Sequence, residues 1–513
     1  MTLGVMQGNS DLSVELLDAG AVVGHLVPAG SVYSFLAGHR RRLFPDELFS
    51  DLFPSARGRP SVPADVVATV MVLQALEGLS DRDAIDSLRT DIKWKVAAGR
   101  SLTDEGFHPT VLTLWRNRLR ASGAPERIFD AVRQVVAETG VLAKRTRRAL
   151  DSTLLDDAVA TQDTVTQLVS VIRRARREIG AAADVEVTAH DYDAGGKPVC
   201  AWDDPDARNQ LVTGLVNDAL AILDRLVGVD LDDDQTELVG LLALVAGQDV
   251  EPGDAPGSWR IADRTVPDRV ISTVDPEARH MHKSRSAYRD GYKAHIAVEP
   301  ETGLITAVEL TAANTADGPV GIGLLAGERP GLEVLADSAY GSGETRAALT
   351  EAGHIQTIKP ISLRAAIGGG FTKADFGIDL AAGTVTCPAG ETVQISRTGR
   401  AVFGWRCSRC PLQSRCTTAK NGRTLNIHPH EAELIAAREH SRDPDFNESY
   451  RRWRPPVERS IAWLVANGQR RVRYRGIARN QLGLATRAAA VNLRRLVNLG
   501  LDHGPNGWAI ATG

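Results

Sequence analysis

No stretch of about 20 apolar residues occurs in the 513-residue chain, so no membrane span is expected. The N-terminus has no basic segment followed by an apolar one, so no secretion signal is expected. Cysteine is scarce. Five unevenly placed residues are too few for a disulfide scaffold, and a reducing, cytoplasmic setting fits better. A large charge of one sign is also missing, and the net charge of −4 argues mildly against nucleic acid as a partner. There is no internal repeat and no low-complexity tract. What remains is ordinary for a soluble globular protein, with 43% hydrophobic and 24% charged residues. The length suits about two to four domains.

The charge is unevenly spread. Acidic residues crowd into 203–251, as in DDPDAR and DLDDDQTE. Basic residues cluster at 39–42 (HRRR), 144–148 (KRTRR), 173–177 (RRARR) and 470–475 (RRVRYR). Local basic patches, not the total, set phosphate binding. A single short Arg run is equally well a solvated helix face.

Residues 1–55 carry few strong signals. From about 58 the text reads as helices. Ser61 or Pro63 can open the first, Val66, Val67, Val70 and Leu73 follow helical spacing, and Gly78 ends it. Ser80 with Asp83 three residues on resembles a capping box that starts the second. A third helix is expected within 104–123, carrying Trp115, Leu119 and the basic Arg116, Arg118 and Arg120. Short helices, tight turns and an Arg-rich last helix suit a helix-turn-helix DNA binder; a plain helical bundle would show much of the same pattern. Residues 144–153 read as a short strand ending in Asp151. About 90 residues of helical periodicity follow, and 249–258 has the composition of a linker.

From 290 to 361 the pattern reads strand, strand, helix, strand, helix, strand, with Gly303 in the first turn. With the strand before it this makes a mixed sheet covered by helices, an α/β fold. One strand, LEVLADSAYG, is apolar until Asp337. In open α/β sheets that edge is where chemistry collects. Two aspartates at the ends of neighbouring strands can share a hard divalent cation such as Mg²⁺, and a third carboxylate from a helix would complete a two-metal site for phosphodiester chemistry. Either aspartate alone is equally well a loop or helix cap.

Several motifs stand in a telling order: LDST at 150–153, YKAHIAVEPETGLI and LADSAYGS midway, and YRRWRPPVERSIAWL late. This order resembles the DDE-type transposases of bacterial insertion sequences, over residues 58–497. The resemblance implies a ribonuclease-H-like sheet carrying Asp151, Asp337 and Glu458 as catalytic and Mg²⁺-binding residues, with two ions. It implies an N-terminal helical domain that binds element ends. It also implies double-stranded DNA, both element ends and target, as partner, and a homodimer or larger assembly on that DNA. Arg454 fits the Arg of the family's late signature. Arg451 stands where that signature has Tyr, with Tyr450 one residue away, and Val465 stands where it has Lys. Proline is tolerated in a first turn and breaks an interior, so Pro455 or Pro456 should start the Glu458 helix and leave Arg454 outside it. Ile461, Trp463, Leu464 and Val465 then supply a docking face.

The expected domains are an N-terminal segment (1–55), a helical DNA-binding domain (56–140), the first part of the catalytic core (141–361, with a helical insertion at about 160–250), a Cys-rich insertion (362–430), and the C-terminal helices of the core with a basic tail (431–513). In the Cys-rich insertion, Cys407 and Cys410 form a C-x₂-C hook, and Cys387 and Cys416 could close a tetrahedral zinc site. Reduced, unligated thiols are the alternative. Cys200 stands alone and is expected to be buried. Arg470, Arg471, Arg473 and Arg475 are candidate DNA contacts, since guanidinium groups grip phosphates well. Two other functions fit the same text: a non-catalytic DNA-binding protein derived from such an enzyme, and a nuclease on the same fold.

Overall fold

The computed structural model describes residues 7–8, 10, 16–54, 60–264, 266–282 and 288–511. The N-terminal helices are α1 (Ala19–Val23), α2 (Val32–Leu43), α3 (Ala64–Glu77), α4 (Asp81–Thr90), α5 (Ile92–Ala98), α6 (Thr110–Ala121) and α7 (Arg127–Glu138). Pro63 caps α3, and Gly78 closes it at φ 71°, a left-handed conformation that glycine adopts without strain. Ser80 and Asp83 form the reciprocal capping box of α4. Residues Ala64 to Gln74 of α3 are all buried, so α3 is a core helix with no solvent face.

Strand β1 spans Arg147–Asp156. Asp151 therefore sits in mid-strand, which corrects the expectation that the strand ends there. The reason is pairing: β5 (Tyr288–Val298) runs antiparallel beside β1 all the way from Ala149↔Val298 to Asp156↔Gly291. Between them, in sequence, lies a helical insertion of α8 (Thr164–Glu178), α9 (Gly180–Ala183), α10 (Pro205–Arg225) and α11 (Asp233–Gln248). The supposed linker after it is a small hairpin, β2 (Val250–Pro252) with β3 (Trp259–Ile261). Its turn residues read as a linker because a hairpin this short has almost no apolar alternation. Cys200 is half-buried in the insertion, less than expected.

The remaining sheet strands are β4 (Arg279–His282), β6 (Ile305–Ala312), β7 (Glu333–Ala336) and β8 (Ile355–Ile358), with α12 (Asp317–Leu324) and α13 (Gly343–Glu351) between the last three. The strand order is β4-β5-β1-β7-β8, with β6 also paired to β5. β1, β7 and β8 are parallel and the rest antiparallel, the mixed α/β sheet that the sequence led us to expect. Gly321 of α12 has a packing reason: a Cβ on it would stand 2.8 Å from the Tyr340 ring.

The Cys-rich region folds as short strands β9 (Gly377–Asp379), β10 (Thr384–Thr386), β11 (Thr392–Gln394), β12 (Arg400–Val402) and β13 (Thr424–Asn426) with α14 (Gln413–Cys416). Next come α15 (Glu431–His440), α16 (Pro444–Trp453), α17 (Pro455–Leu464), α18 (Ile477–Asn498), and a final hairpin, β14 (Leu501–Gly504) with β15 (Gly507–Ile510). Helix α18 is the spine of the molecule. It packs on α3, α6 and α7 and on β6 and α17. One continuous apolar core therefore joins the N-terminal helices, one face of the sheet and the C-terminal helices. The helical insertion and the Cys-rich region keep cores of their own.

Candidate active site

β1 and β7 are last paired at Ala149↔Leu335. Asp151 and Asp337 each lie two residues beyond that pair. In parallel strands about 4.8 Å apart, equal offsets set the two side by side where the ladder opens. Asp337 Oδ1 accepts the Ala339 N–H at 2.8 Å, which turns the chain sharply off the strand. Asp151 is largely buried on β1.

Glu458 comes from α17. That helix starts at Pro455, with Arg454 just outside it, as the two prolines required. Val457, Ser460 and Leu464 are its buried residues, so Val457 does more of the docking than the sequence suggested, while Ile461 and Trp463 are half-buried. The docking leaves Glu458 on the solvent side of the first turn, 71% exposed.

Arg454 connects the carboxylates. It is buried, its Nη2 lies 3.0 Å from Asp151 Oδ1, and its Nη1 lies 3.9 Å from Glu458 Oε1. Its Nε and Nη1 have no hydrogen-bond partner. Burial pushes the Asp151 carboxyl above its usual range and the Asp337 charge adds to that, while Arg454 and the Ser152 N–H oppose it. Tyr450 on α16 reports on the whole group. Burial raises its pKa first, Arg454 lowers it, and Asp337, Asp151 and Glu458 raise it further. Three carboxylates from β1, the end of β7 and α17 thus act on one phenol. Tyr340, fully buried, is raised well above its ordinary value by burial and by Asp317, Asp151 and Asp337. Lys359, which the sequence reading did not single out, holds its Nζ 4.6 Å above the Tyr450 ring.

The other predicted site residues are dispersed. Arg116 is ion-paired to Asp81 and donates to Gln74. Arg118 lies 4.7 Å over the Phe53 ring. Arg470 donates to Thr153 Oγ1 and to the Leu154 carbonyl at 3.2 and 3.1 Å. Arg471 donates to the carbonyls of Asp157 and Ala158, and Arg473 to those of Gly78 and Leu79. This run laces the end of β1 and the turn after α3 to the loop before α18. Arg475 is exposed.

Cys387, Cys407, Cys410 and Cys416 line one pocket. Burial raises the Cys416 thiol pKa first. Arg423 opposes the shift, and the other three thiols add to it. The Arg423 N–H points to Cys407 Sγ at 3.3 Å. Among the described residues, no group of three or more His, Cys, Asp or Glu side chains is arranged to hold a metal ion. The donors suit metals in kind: carboxylate oxygens for a hard cation at the sheet edge, thiols for zinc in the insertion. They are not gathered as a ligand set in either place, and at the sheet edge Arg454 contacts Asp151 instead.

Residues 25–118 match the family described as transposase domain (DUF772), and residues 386–497 the family described as transposase DDE domain. Both are transposase domains, and together they support a DDE-type insertion-sequence transposase. The second match takes in Glu458 and the four clustered cysteines; Asp151 and Asp337 lie between the two. No curated protein and no solved structure matches the chain. No helix among the described residues is long and apolar enough to cross a membrane.

Proposed function

We propose that the chain binds the ends of its own insertion sequence and catalyses metal-dependent DNA cleavage and strand transfer, with Asp151, Asp337 and Glu458 as the catalytic carboxylates of a ribonuclease-H-like sheet. The observation that carries this reading is that Asp151 and Asp337 each stand two residues beyond the last β1–β7 pair, beside Arg454, which lies within ion-pair reach of both Asp151 and Glu458. The transposase families act on DNA, and a DDE domain implies divalent metal. Two Mg²⁺ ions, when bound, supply Lewis-acid stabilisation of the phosphate and a more acidic attacking oxygen. The chain's own part is placement and charge. Arg454 opposes the upward push that burial gives the Asp151 carboxyl. Glu458, at the surface, can be reached by a phosphodiester. The Nε and Nη1 of Arg454 are buried without a hydrogen-bond partner, so its positive charge is held beside Asp151 and Glu458. In-line transfer needs such preorganised charge more than a covalent nucleophile.

Asp337→Asn is expected to lower Mg²⁺-dependent cleavage of element-end DNA by several orders of magnitude, with duplex binding near normal. Cleavage at the parental rate would sink the assignment. Joined products with a target plasmid are expected; cleavage without joining would favour a nuclease. The Cys-rich region would hold one structural zinc through Cys387, Cys407, Cys410 and Cys416. Metal analysis should find zinc in the purified chain and none in Cys410→Ser. A zinc-free chain of unchanged melting temperature would contradict this part.

A further inference from the structure

A small pocket of about 50 Å³ opens where the N-terminal helices meet the C-terminal spine, between α3, α6, α18 and the loop before α18. Its lining is cationic, with Arg116, Arg473 and Arg487 around Gln74 and Thr486, and no carboxylate lines it. Arg116 is neutralised by Asp81, which it grips with both terminal nitrogens. Among the described residues the other two arginines have no acidic partner within ion-pair distance. Arg473 donates to the carbonyls of Gly78 and Leu79. Arg487 is 7% exposed in the interior of α18, and its Nη1 donates to the carbonyls of Gln469 at 2.9 Å and Leu464 at 3.5 Å. Its Nε and Nη2 make no hydrogen bond among the described residues.

A buried guanidinium without a counter-charge is costly. Burial and the neighbouring Arg473 push the Arg487 pKa down to about 10. The opposing group is a phenol, Tyr474, rather than a carboxylate, and its ring also lies 5.5 Å under Arg116.

We propose that this pocket is an anion site that takes one phosphate oxyanion, with Arg487 and Arg473 as its charge donors. The tetrahedral group is either a backbone phosphate of bound DNA or free phosphate. In the first case the site rests on the transposase reading and locks the N-terminal helices to the catalytic part when DNA is bound. The anion supplies the counter-charge that the fold omits, and the forked guanidinium matches its oxygens.

The test uses the full chain and inorganic phosphate. At matched ionic strength, millimolar phosphate should raise the melting temperature by a few degrees over chloride, as a ligand of the native state does. Arg487→Met should abolish the rise. Arg473→Gln, at the exposed rim, should reduce it. If the natural source is DNA, Arg473→Gln will also weaken duplex binding and lower its salt slope by about 0.9. Unchanged duplex binding alongside a lost phosphate response assigns the site to free phosphate. No phosphate-specific rise in the parent, or an equal rise in both variants, overturns the proposal. Asp337→Asn leaves the pocket intact and should respond to phosphate like the parent, so failure here and failure of the cleavage reading are separable.

Discussion

The helical insertion and the N-terminal helices are both helical bundles, yet they relate to the sheet in opposite ways. The N-terminal helices share one core with it: Leu73, Trp115, Leu335, Val457 and Leu493 belong to the same apolar cluster. The insertion closes on itself, with Leu168, Leu215, Ile222 and Leu242 in a separate cluster. Charge divides them too. Residues 160–262 hold 19 acidic and 8 basic side chains, against 64 acidic and 60 basic in the whole chain. The net charge of −4 is therefore a strongly acidic insertion set against a basic remainder. Total charge argued against DNA only because it averaged two regions of opposite sign.

Stability offers the hardest test of this contrast. Leu493→Ala, at a fully buried site on α18, should cost about 2–5 kcal/mol and lower the melting of N-terminal helices and sheet together. Leu242→Ala, equally buried in α11, should cost a similar amount but shift a separate transition. Hydrogen exchange resolved by region reads both. A single common transition in both variants would break the comparison.

A smaller effect lies at the root of the insertion. The chain leaves the sheet at Asp157 and returns past Asp275, and both carboxyls are buried. Burial, then the Asp275 charge, pushes Asp157 up to about 6. Asp275 in turn accepts from the Tyr292 hydroxyl at 2.6 Å and from the Gly476 N–H. A raised folded-state pKa means that the native state holds the proton more tightly. Its stabilising contribution is thus present below about pH 3.8 and is lost as pH rises through about 6. The loss should be no more than about 3 kcal/mol. Asp157→Asn should flatten this part of the stability–pH curve, measured by denaturant melts. A curve that keeps its slope would remove the dyad from the account.

The smallest effect concerns charge alone. Asp233→Asn with Asp234→Asn, both exposed at the start of α11, should raise non-specific duplex affinity by about two- to threefold at low salt. The change should vanish as salt is added. A drop in affinity would mean that the insertion helps to hold DNA.

Much of the fold was legible. Capping of α3 and α4, the hairpin turning at Gly303 and the alternation of β and α from 290 to 361 are local, and each residue's neighbours in sequence are its neighbours in space. The helix start at Pro455 was legible for the same reason, since proline's missing N–H acts on its own turn. The arginine run at 470–475 shows the limit. Its residue types promised phosphate contacts, but Arg470, Arg471 and Arg473 bond to the protein's own oxygens. Nothing in the run itself says which carbonyls the end of β1 and the turn after α3 will leave within reach. Asp151 in mid-strand is a similar case. Its partner strand β5 lies some 140 residues away, beyond the insertion, and that pairing carries β1 past it.

By itself the sequence determined the capped helices α3 and α4, the helix start at Pro455, the alternation of strands and helices from 290 to 361, and where cysteines gather, because periodicity, caps and spacing act over one or two turns. Tertiary structure alone decided that Asp151 and Asp337 each stand two residues beyond the last β1–β7 pair, that Arg454 reaches Asp151 and Glu458, that α18 fuses two regions into one core, and that Arg487 is buried with no counter-charge among the described residues. Those facts depend on which distant segments pack together, and packing is chosen by the whole chain's burial of apolar surface rather than by any local stretch.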